Sequence, residues 1–246
     1  MKKLIQIIKA FIYIFLPVSF YKKIDYLNRR YFLKSFSSHG LDKKMNKYLK
    51  KDAGYYIEMG ANDGIEYSNT YLLELSKKWK GVLVEPNLNN FFECIKNRSN
   101  KNMFFCNACV SFDYKEKFVP MIYADLMTMA KKSERDYDEL AHLEENSINH
   151  LQKNERITEY GSIAKTLTEI LHEANAPKNI DFFSLDVEGT ELDVLKGIDF
   201  NEYNIEYILT ESNSLDIEYI VNFLTSKNYV LLEKLSPVDF LFGLKT

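Results

Sequence analysis

Two stretches decide the fold of this chain: Ile57-Glu58-Met59-Gly60-Ala61-Asn62-Asp63-Gly64 and Phe183-Ser184-Leu185-Asp186-Val187-Glu188-Gly189-Thr190. Each is an apolar run, typical of a buried strand, that stops at small or acidic residues. A parallel α/β sheet places its chemistry in this way, at the carboxyl ends of its strands. The two stretches therefore predict neighbouring strands whose ends share one functional site.

The end of the first stretch has the composition of a tight turn beside a ligand. Gly60 and Gly64 permit backbone conformations that other residues avoid, and Asn62-Asp63 tolerates positive φ values. A helical pattern over residues 67–79 follows directly, which leaves the N–H groups of the loop at a helix N-terminus. The sequence therefore predicts a cradle for a nucleotide-type cofactor.

The loop does not match the dinucleotide-binding pattern G-x-G-x-x-G, because Asn62 stands where a second glycine allows a pyrophosphate to approach. A cofactor without a pyrophosphate fits better, and S-adenosylmethionine (SAM) is the candidate. Glu85 ends the next predicted strand, where a carboxylate accepts hydrogen bonds from ribose hydroxyls. Glu85 alone fits either SAM or NAD. Glu58, just before the turn, is placed to reach the methionyl ammonium.

Residues from Tyr55 to about Phe200 resemble the FkbM family of class I SAM-dependent methyltransferases. The pieces that carry the resemblance are Gly60-Ala61-Asn62-Asp63-Gly64, Ser68-Asn69-Thr70, Val84-Glu85-Pro86-Asn87, Asn107-Ala108, Thr166-Leu167, Asp186-Val187-Glu188-Gly189-Thr190-Glu191 and Leu195-Lys196-Gly197. The resemblance implies O-methylation, often of sugar hydroxyls. It further suggests that Ser68, Asn69 and Thr70 bind the methionine carboxylate, although a role as helix caps would by itself explain these residues. Asn107 and Ala108 are expected to flank the adenine.

Alternating strand and helix patterns predict a Rossmann-like α/β fold with a mostly parallel seven-stranded sheet. We expect a basic helical extension over residues 1–52 and a methyltransferase domain over 53–246. Strands are predicted near 55–59, 81–85, 103–110, 180–186 and 204–211. Helices are predicted near 67–79, 88–98, 164–175, 190–197 and 215–226. Two apolar runs, 229–234 and 240–244, flank a Ser-Pro turn and predict a C-terminal antiparallel hairpin.

Residues 112–163 break this alternation. Loops of this length inside a compact domain are usually functional, so the stretch is interpreted as a substrate-recognition insertion. It holds His142 and His150, which are candidates for a catalytic base. It also carries cations that are candidates to bind the phosphate of a nucleotide-linked substrate: Arg135, Lys153 and Arg156.

Asp186 ends the fourth predicted strand and has two candidate roles, contact with the methionine moiety of the cofactor or catalysis at the acceptor. Glu188 is a candidate substrate-binding residue. Asp186, Glu211 and Asn213 together offer hard oxygen ligands at adjacent strand ends, suited to Mg²⁺ or Ca²⁺. A divalent metal such as Mg²⁺ is therefore a candidate second cofactor.

The net charge of −3 hides a segregation of charge. Residues 1–51 contain 13 Lys and Arg against two acidic residues, and the rest of the chain has 19 basic against 33 acidic residues. Such a basic region favours an anionic partner such as lipid headgroups. Residues 1–20 form an apolar run too short and too interrupted for a membrane span, with no cleavage site after it. We expect a cytoplasmic protein that contacts the inner face of the membrane through residues 1–20, or dimerises through them.

The sequence thus predicts a SAM-dependent O-methyltransferase that acts on a sugar hydroxyl in capsule or lipopolysaccharide synthesis. The acceptor would be a nucleotide-activated sugar or a glycan, and no nucleic-acid partner is expected. Two alternatives remain open at this point. One is an NAD(P)-dependent oxidoreductase, and the other is a non-catalytic, membrane-associated module that binds SAM.

Overall fold

A computed structural model of the chain describes residues 23–24, 26–123, 128–130, 158–212 and 216–245. The strands are β1 (Tyr55–Met59), β2 (Lys80–Val84), β3 (Met103–Phe105), β4 (Ala108–Cys109), β5 (Phe118–Tyr123), β6 (Met129–Ala130), β7 (Thr158–Lys165), β8 (Asn179–Leu185), β9 (Asn204–Glu211), β10 (Tyr229–Lys234) and β11 (Asp239–Leu244). The α-helices are α1 (Leu41–Lys44), α2 (Tyr71–Lys77), α3 (Leu88–Asn97), α4 (Leu167–Glu173), α5 (Glu191–Leu195) and α6 (Ile217–Ser226).

The main sheet has seven strands in the order β10-β11-β9-β8-β1-β2-β3. Strands β9, β8, β1, β2 and β3 run parallel, whereas β11 pairs antiparallel with both β9 and β10. The predicted mostly parallel sheet with a C-terminal hairpin is therefore confirmed. The direction in which the chain adds strands reverses at β1, which lies between β2 and β8. In open α/β sheets, ligands bind at the carboxyl ends of the strands beside such a reversal.

The two faces of the main sheet carry separate apolar clusters, because successive side chains of a strand point to opposite faces. Ile57 and Phe183 pack on one face with the buried side chains of α4. Tyr56 and Phe182, their neighbours in sequence, pack on the other face with Trp79. Burial on both faces explains why these strands have continuous apolar sequences rather than alternating ones.

The predicted strand over 103–110 is in fact two strands that belong to different sheets. β3 pairs with β2 in the main sheet, and β4 pairs with β7 in a second sheet of order β4-β7-β5-β6. Between them, the side-chain amide of Asn107 donates a hydrogen bond to the carbonyl oxygen of Ile163 (3.0 Å). This bond ties the segment between β3 and β4, where the chain passes from the main sheet to the second sheet, to β7.

The insertion is not a simple loop, since its described parts form β5, β6 and most of β7. β5 and β7 pair antiparallel from Phe118↔Ile163 to Tyr123↔Thr158. The helix predicted over 164–175 therefore begins only at Leu167, where the side chain of Thr166 accepts a hydrogen bond from the N–H of Glu169. Residues 124–127 and 131–157 lie outside the described part of the chain.

The described part of the N-terminal extension contains short helical elements, namely a π-helical turn (Arg29–Leu33), two 3-10 turns (Ser38–Gly40 and Met45–Lys47) and α1, and it is not helical over residues 34–37. Leu41, Met45 and Leu49 are nearly inaccessible to solvent and join the apolar cluster of Trp79. The end of the extension is thus part of the core. None of the helices in the described ranges is long and apolar enough to cross a membrane.

Truncation of Met45 tests whether the extension is integral to the domain. Met45 is fully buried against the main sheet, so Met45→Ala should lower the free energy of unfolding by about 2–5 kcal/mol. The measurement is urea unfolding followed by circular dichroism. Asn46→Ala, at the exposed neighbouring position, is the matched control and should stay within about 0.5 kcal/mol of the parent chain. Equal stability of the two variants would contradict the packing described here.

Candidate functional site

A cavity of about 590 Å³ opens at the carboxyl ends of β1, β2, β8 and β9 and is closed on one side by the second sheet. This volume lies within the range of small-molecule and cofactor sites. The residues that line it and that the sequence had singled out are Gly60, Asn62, Glu85, Asn107, Ala108, Asp186, Glu188 and Glu211. The fold therefore brings together residues that are up to 151 positions apart in sequence.

The loop after β1 requires its glycine because two strands approach closely there. Gly60 has a φ of +73°, and a Cβ at this position would lie 1.9 Å from the backbone carbonyl oxygen of Asp186. Any other residue would push β1 and β8 apart at the site. Asn62 follows with a φ of +47°, a conformation that asparagine tolerates better than most residues. The turn thus presents backbone groups to the cavity.

Glu85 fixes this loop to the end of β2. Its two carboxylate oxygens accept hydrogen bonds from the backbone N–H groups of Asn62 and Asn87, both at 2.8 Å. Burial raises the pKa of Glu85 to about 7, although the two N–H donors oppose the rise. Each oxygen retains acceptor capacity on the side of the cavity, because a carboxylate oxygen can accept more than one hydrogen bond. Glu85 can therefore accept two hydroxyl groups of a ligand.

Glu58 does not line the cavity and forms a buried ion pair, so its expected contact with the methionyl ammonium stays a prediction. The guanidinium of Arg98 donates to its carboxylate (2.9 Å), and both side chains are at most 4% exposed. Arg98 also donates to Glu74 (2.9 Å) and to the hydroxyl of Tyr56 (2.6 Å). A buried carboxylate needs this compensation, since an unpaired charge in the interior is costly. The carboxylate of Glu58 is thus committed to the protein's own groups.

The polar cluster Ser68-Asn69-Thr70 contacts the same buried pair, and its expected contact with the methionine carboxylate stays a prediction. The hydroxyls of Ser68 and Thr70 and the backbone N–H of Asn69 all donate to Glu58, at 2.6–3.1 Å. None of the three residues lines the cavity. Gly64 likewise does not line it: its carbonyl oxygen accepts from Arg98, and a Cβ there would lie 2.7 Å from Arg98 Cγ. These residues therefore stabilise the loop without lining the cavity.

Three carboxylates meet at the ends of β8 and β9: those of Asp186, Glu188 and Glu211. One oxygen from each lies within 4.8 Å of the others. Burial, reinforced by the neighbouring carboxylates, raises the pKa of Asp186 well above its ordinary value and that of Glu188 to about 8. Burial also raises the pKa of Glu211, which shares a hydrogen bond with Asp186. Such a cluster can accept a proton near neutral pH or hold a hard cation.

A strained turn aims Glu188 into the cluster. Glu188 has a φ of +55° and Gly189 a φ of +94°, so two successive residues have left-handed backbone conformations. The carboxylate of Glu191, almost fully buried, accepts from the N–H groups of Gly189 (2.9 Å) and Val187 (3.3 Å). Left-handed conformations of residues other than glycine are kept mainly where the surroundings enforce them, often at functional sites.

The described walls of the cavity are strongly acidic. They include the carboxylate side chains of Glu66, Glu85, Asp186, Glu188, Asp193 and Glu211. Within the described part of the chain, no lysine or arginine lines the cavity. The field inside the cavity therefore favours a ligand that carries positive charge and disfavours a phosphate against these walls.

Six of the residues proposed from the sequence lie outside the described ranges: Arg135, His142, His150, Lys153, Arg156 and Asn213. Sequence reasoning in turn missed Arg98, because nothing in its local sequence distinguishes it from a surface arginine after a helix. It also missed Ser38, which lines the cavity from the N-terminal extension. The only signal there was His39-Gly40, a break in the helical pattern.

Comparisons with known proteins identify the domain. The family model described as a methyltransferase FkbM domain matches residues 58–231. No curated protein matches the chain. Similar solved structures include the following three. The precorrin-6y C5,15-methyltransferase from Geobacter metallireducens is 11% identical, with a TM-score of 0.47 and coverage of 84% of this chain and 87% of that chain. A SAM-dependent methyltransferase from Aquifex aeolicus is 9% identical, with a TM-score of 0.43 and coverage of 93% of this chain and 98% of that chain. A methyltransferase from Geobacter sulfurreducens is 10% identical, with a TM-score of 0.45 and coverage of 98% of this chain and 96% of that chain.

The role of the buried ion pair can be tested by removing either partner. Arg98→Met should lower the free energy of unfolding by about 3–5 kcal/mol, because it leaves Glu58 buried and uncompensated. Adding Glu58→Gln to this variant should restore part of the loss. Urea unfolding measures both effects, with Lys96→Met as the control on the exposed side of α3 (side chain 65% exposed). If Glu58→Gln alone weakened cofactor binding without any loss of stability, a direct contact with the cofactor would replace this assignment.

Proposed function

Since the chain belongs to the FkbM family of SAM-dependent methyltransferases, we propose that it transfers the methyl group of SAM to a hydroxyl oxygen of a sugar. The observation that carries the proposal is the cavity itself, in which the loop after β1 and Glu85 face the carboxylates of Asp186, Glu188 and Glu211. A site for the methyl donor and a site for proton removal thus share one enclosure. The family match favours this activity over the NAD(P)-dependent oxidoreductase that the sequence left open.

We propose that the cofactor lies across the ends of β1, β2 and β3. The Gly60 loop provides the close approach, Glu85 accepts the ribose hydroxyls, and Asn107 and Ala108 flank the adenine. The acidic walls support this placement, because a sulfonium is a cation and is stabilised by nearby carboxylates. After methyl transfer the sulfur is neutral, so the walls hold the product less strongly than the substrate. This difference favours exchange of product for fresh SAM.

Asp186 and Glu188 are the proposed groups at the reacting oxygen. The hydroxyl oxygen attacks the methyl carbon, the C–S bond breaks, and its electron pair stays on the sulfur of S-adenosylhomocysteine (SAH). The hydroxyl proton passes to a carboxylate of the cluster. A carboxylate with a raised pKa is a stronger base than an ordinary one, and a pKa of about 8 for Glu188 suits proton transfer near neutral pH. Alignment of the oxygen with the methyl group supplies much of the remaining rate.

The same three carboxylates fit a divalent cation. They offer only hard oxygen donors, and their oxygens are close enough to surround one ion. If Mg²⁺ were bound, Asp186, Glu188 and Glu211 would hold it, and it would stabilise the alkoxide as a Lewis acid. Asn213, the remaining ligand proposed from the sequence, lies outside the described residues. The dependence of methyl transfer on a divalent metal is therefore measured together with the reaction.

A hydroxylated acceptor suits these walls better than an anionic one, since carboxylates accept hydrogen bonds from hydroxyl groups. For a nucleotide-activated sugar, the phosphates would have to contact residues beyond the described walls. Arg135, Lys153 and Arg156 in the insertion are the proposed contacts, and His142 and His150 remain the alternative bases there. A glycan acceptor would need no such contact.

The proposed setting is the synthesis of surface polysaccharide such as capsule or lipopolysaccharide. The basic N-terminal region supports it, because 13 basic residues against two acidic ones in residues 1–51 favour contact with anionic headgroups at the inner face of the membrane. Residues 1–20 would provide this contact or a dimer interface.

The raised pKa of Glu85 predicts a pH dependence of SAM binding. Ribose hydroxyls donate to the ionised carboxylate, so affinity should fall as the pH drops through about 7. The stability of the ligand-free protein should change with pH in the opposite direction to the affinity. The folded state holds the proton of Glu85 more tightly than the unfolded state does, so the contribution of Glu85 to the free energy of unfolding falls as the pH rises from about 4.5 to about 7. Calorimetric titration with SAM at pH 6 and pH 8.5 measures the first effect. Glu85→Gln should weaken binding at least about tenfold and flatten the profile, whereas Glu93→Gln on the exposed side of α3 should match the parent.

Transfer of labelled methyl from SAM to a panel of acceptors tests the reaction itself. The panel contains nucleotide-sugars, free oligosaccharides, amines and phenols, each with Mg²⁺ and with EDTA. We expect sugar methylation, reduced about 100-fold or more in Asp186→Asn with SAM affinity retained. Loss of activity with EDTA, restored by Mg²⁺, would assign the cluster to a metal. Methylation of amines alone would contradict O-methylation. SAM binding without transfer to any acceptor would favour the non-catalytic module.

A further inference from the structure

A short stretch of the N-terminal extension, residues 35–42, is built as a rigid loop although it precedes the family domain, which begins at Glu58. Its centre is Asp42, whose side chain is fully buried. The carboxylate of Asp42 accepts from the hydroxyls of Ser35 (2.6 Å) and Ser37 (2.9 Å) and from the backbone N–H of Phe36 (2.7 Å). A buried carboxylate with this many donors holds its loop in one conformation.

The rigid loop reaches the wall of the cavity through Ser38. Ser37 pairs with Tyr67 in a parallel bridge, and both Ser38 and Tyr67 line the cavity. On its other side, Leu41 and Met45 anchor the loop in the core. Buried contacts on both sides of Ser38 therefore determine its position at the cavity wall.

His39 follows Ser38 in an exposed part of this loop, near the carboxylate of Glu211. Its Nδ1 is within hydrogen-bonding distance of the Ser38 hydroxyl (3.1 Å), and its φ of +51° is unusual for a residue with a side chain. Burial raises the pKa of Glu211, and the imidazole is close enough to oppose that rise. The carboxylate of Asp239, at the start of β11, also lies near the imidazole ring of His39. The loop thus adds a hydroxyl and an imidazole to a region whose other groups are carboxylates.

We infer that Ser38 binds the acceptor and that His39 positions the Ser38 hydroxyl for this contact. The inference rests on the proposed function and deepens it, because it identifies a neutral, polyhydroxylated acceptor as the ligand of this wall. A serine hydroxyl both donates and accepts, so it complements a sugar hydroxyl that carboxylates can only accept from. The extension outside the family domain therefore supplies specificity for the acceptor, while the domain supplies the methyl donor site.

Four variants separate this role from a merely structural one. Ser38→Ala removes the hydroxyl, and His39→Gly removes the imidazole while it keeps a residue that adopts the same backbone conformation. His39→Asn tolerates positive φ and places an acceptor atom near the position of Nδ1, so it is the conservative rescue. Asn46→Ala, at an exposed position of the same extension, is the matched control. For each, KM for the sugar, kcat and the Kd for SAM are measured on the full chain.

We expect Ser38→Ala and His39→Gly to raise KM for the acceptor about tenfold, the effect of one lost hydrogen bond, with an unchanged Kd for SAM. His39→Asn should recover most of the loss, and Asn46→Ala should match the parent. An unchanged acceptor KM in both Ser38→Ala and His39→Gly would overturn the inference, as would an equal loss of SAM affinity. If the parent methylates an amine or a phenol instead of a sugar, the proposed function fails. The same comparison on that acceptor then still decides the role of Ser38 and His39.

Discussion

The buried pair of Glu58 and Arg98 is the interaction on which the site depends. It joins the end of β1 to the end of α3, and the hydroxyls of Ser68 and Thr70 close around it at the start of α2. The glycine loop runs directly over this cluster. Because a buried charge cannot move away from its partner without a large cost in free energy, the pair fixes the loop from behind. Glu85 then fixes it from the side through the N–H of Asn62. The cofactor loop is thus held before any ligand binds, which lowers the ordering cost of binding.

The acidic character of the cavity links the fold to turnover. Six carboxylates face a space that no lysine or arginine of the described residues enters. In the unliganded protein burial raises the pKa values of Asp186, Glu188 and Glu211, and neighbouring carboxylates add to the rise. A bound sulfonium would reverse part of that shift, since a nearby cation favours ionised carboxylates. SAM would therefore prepare the base that its own methyl transfer requires. Once the sulfur loses its charge, the carboxylates regain protons more readily and the cycle can restart.

How far the sequence predicts this molecule depends on whether the determining contacts are local. The loop with Gly60 and Asn62, the role of Glu85 as a strand-end carboxylate, and the C-terminal hairpin follow from short patterns, because glycine conformation and strand periodicity are local properties. Arg98 could not be found in this way, since its partner lies 40 positions earlier. The ion pair of Glu58 could not be predicted for the same reason: a strand-end carboxylate beside a glycine loop looks the same in sequence whether it faces a ligand or a buried guanidinium. The second sheet was missed because β5 and β7 pair across a long intervening stretch.

Ser38 and His39 illustrate the same limit at the scale of the domain. A family pattern describes what its members share, and here it covers residues 58–231. The wall built by residues 35–42 precedes the matched domain and depends on Asp42, whose polar neighbours would be read from sequence as an ordinary surface turn. Burial reverses that reading: a carboxylate with four donors and no solvent exposure organises a wall of the site. In this chain, the groups that select an acceptor are therefore to be sought where the extension meets the strand ends, rather than within the shared motifs alone.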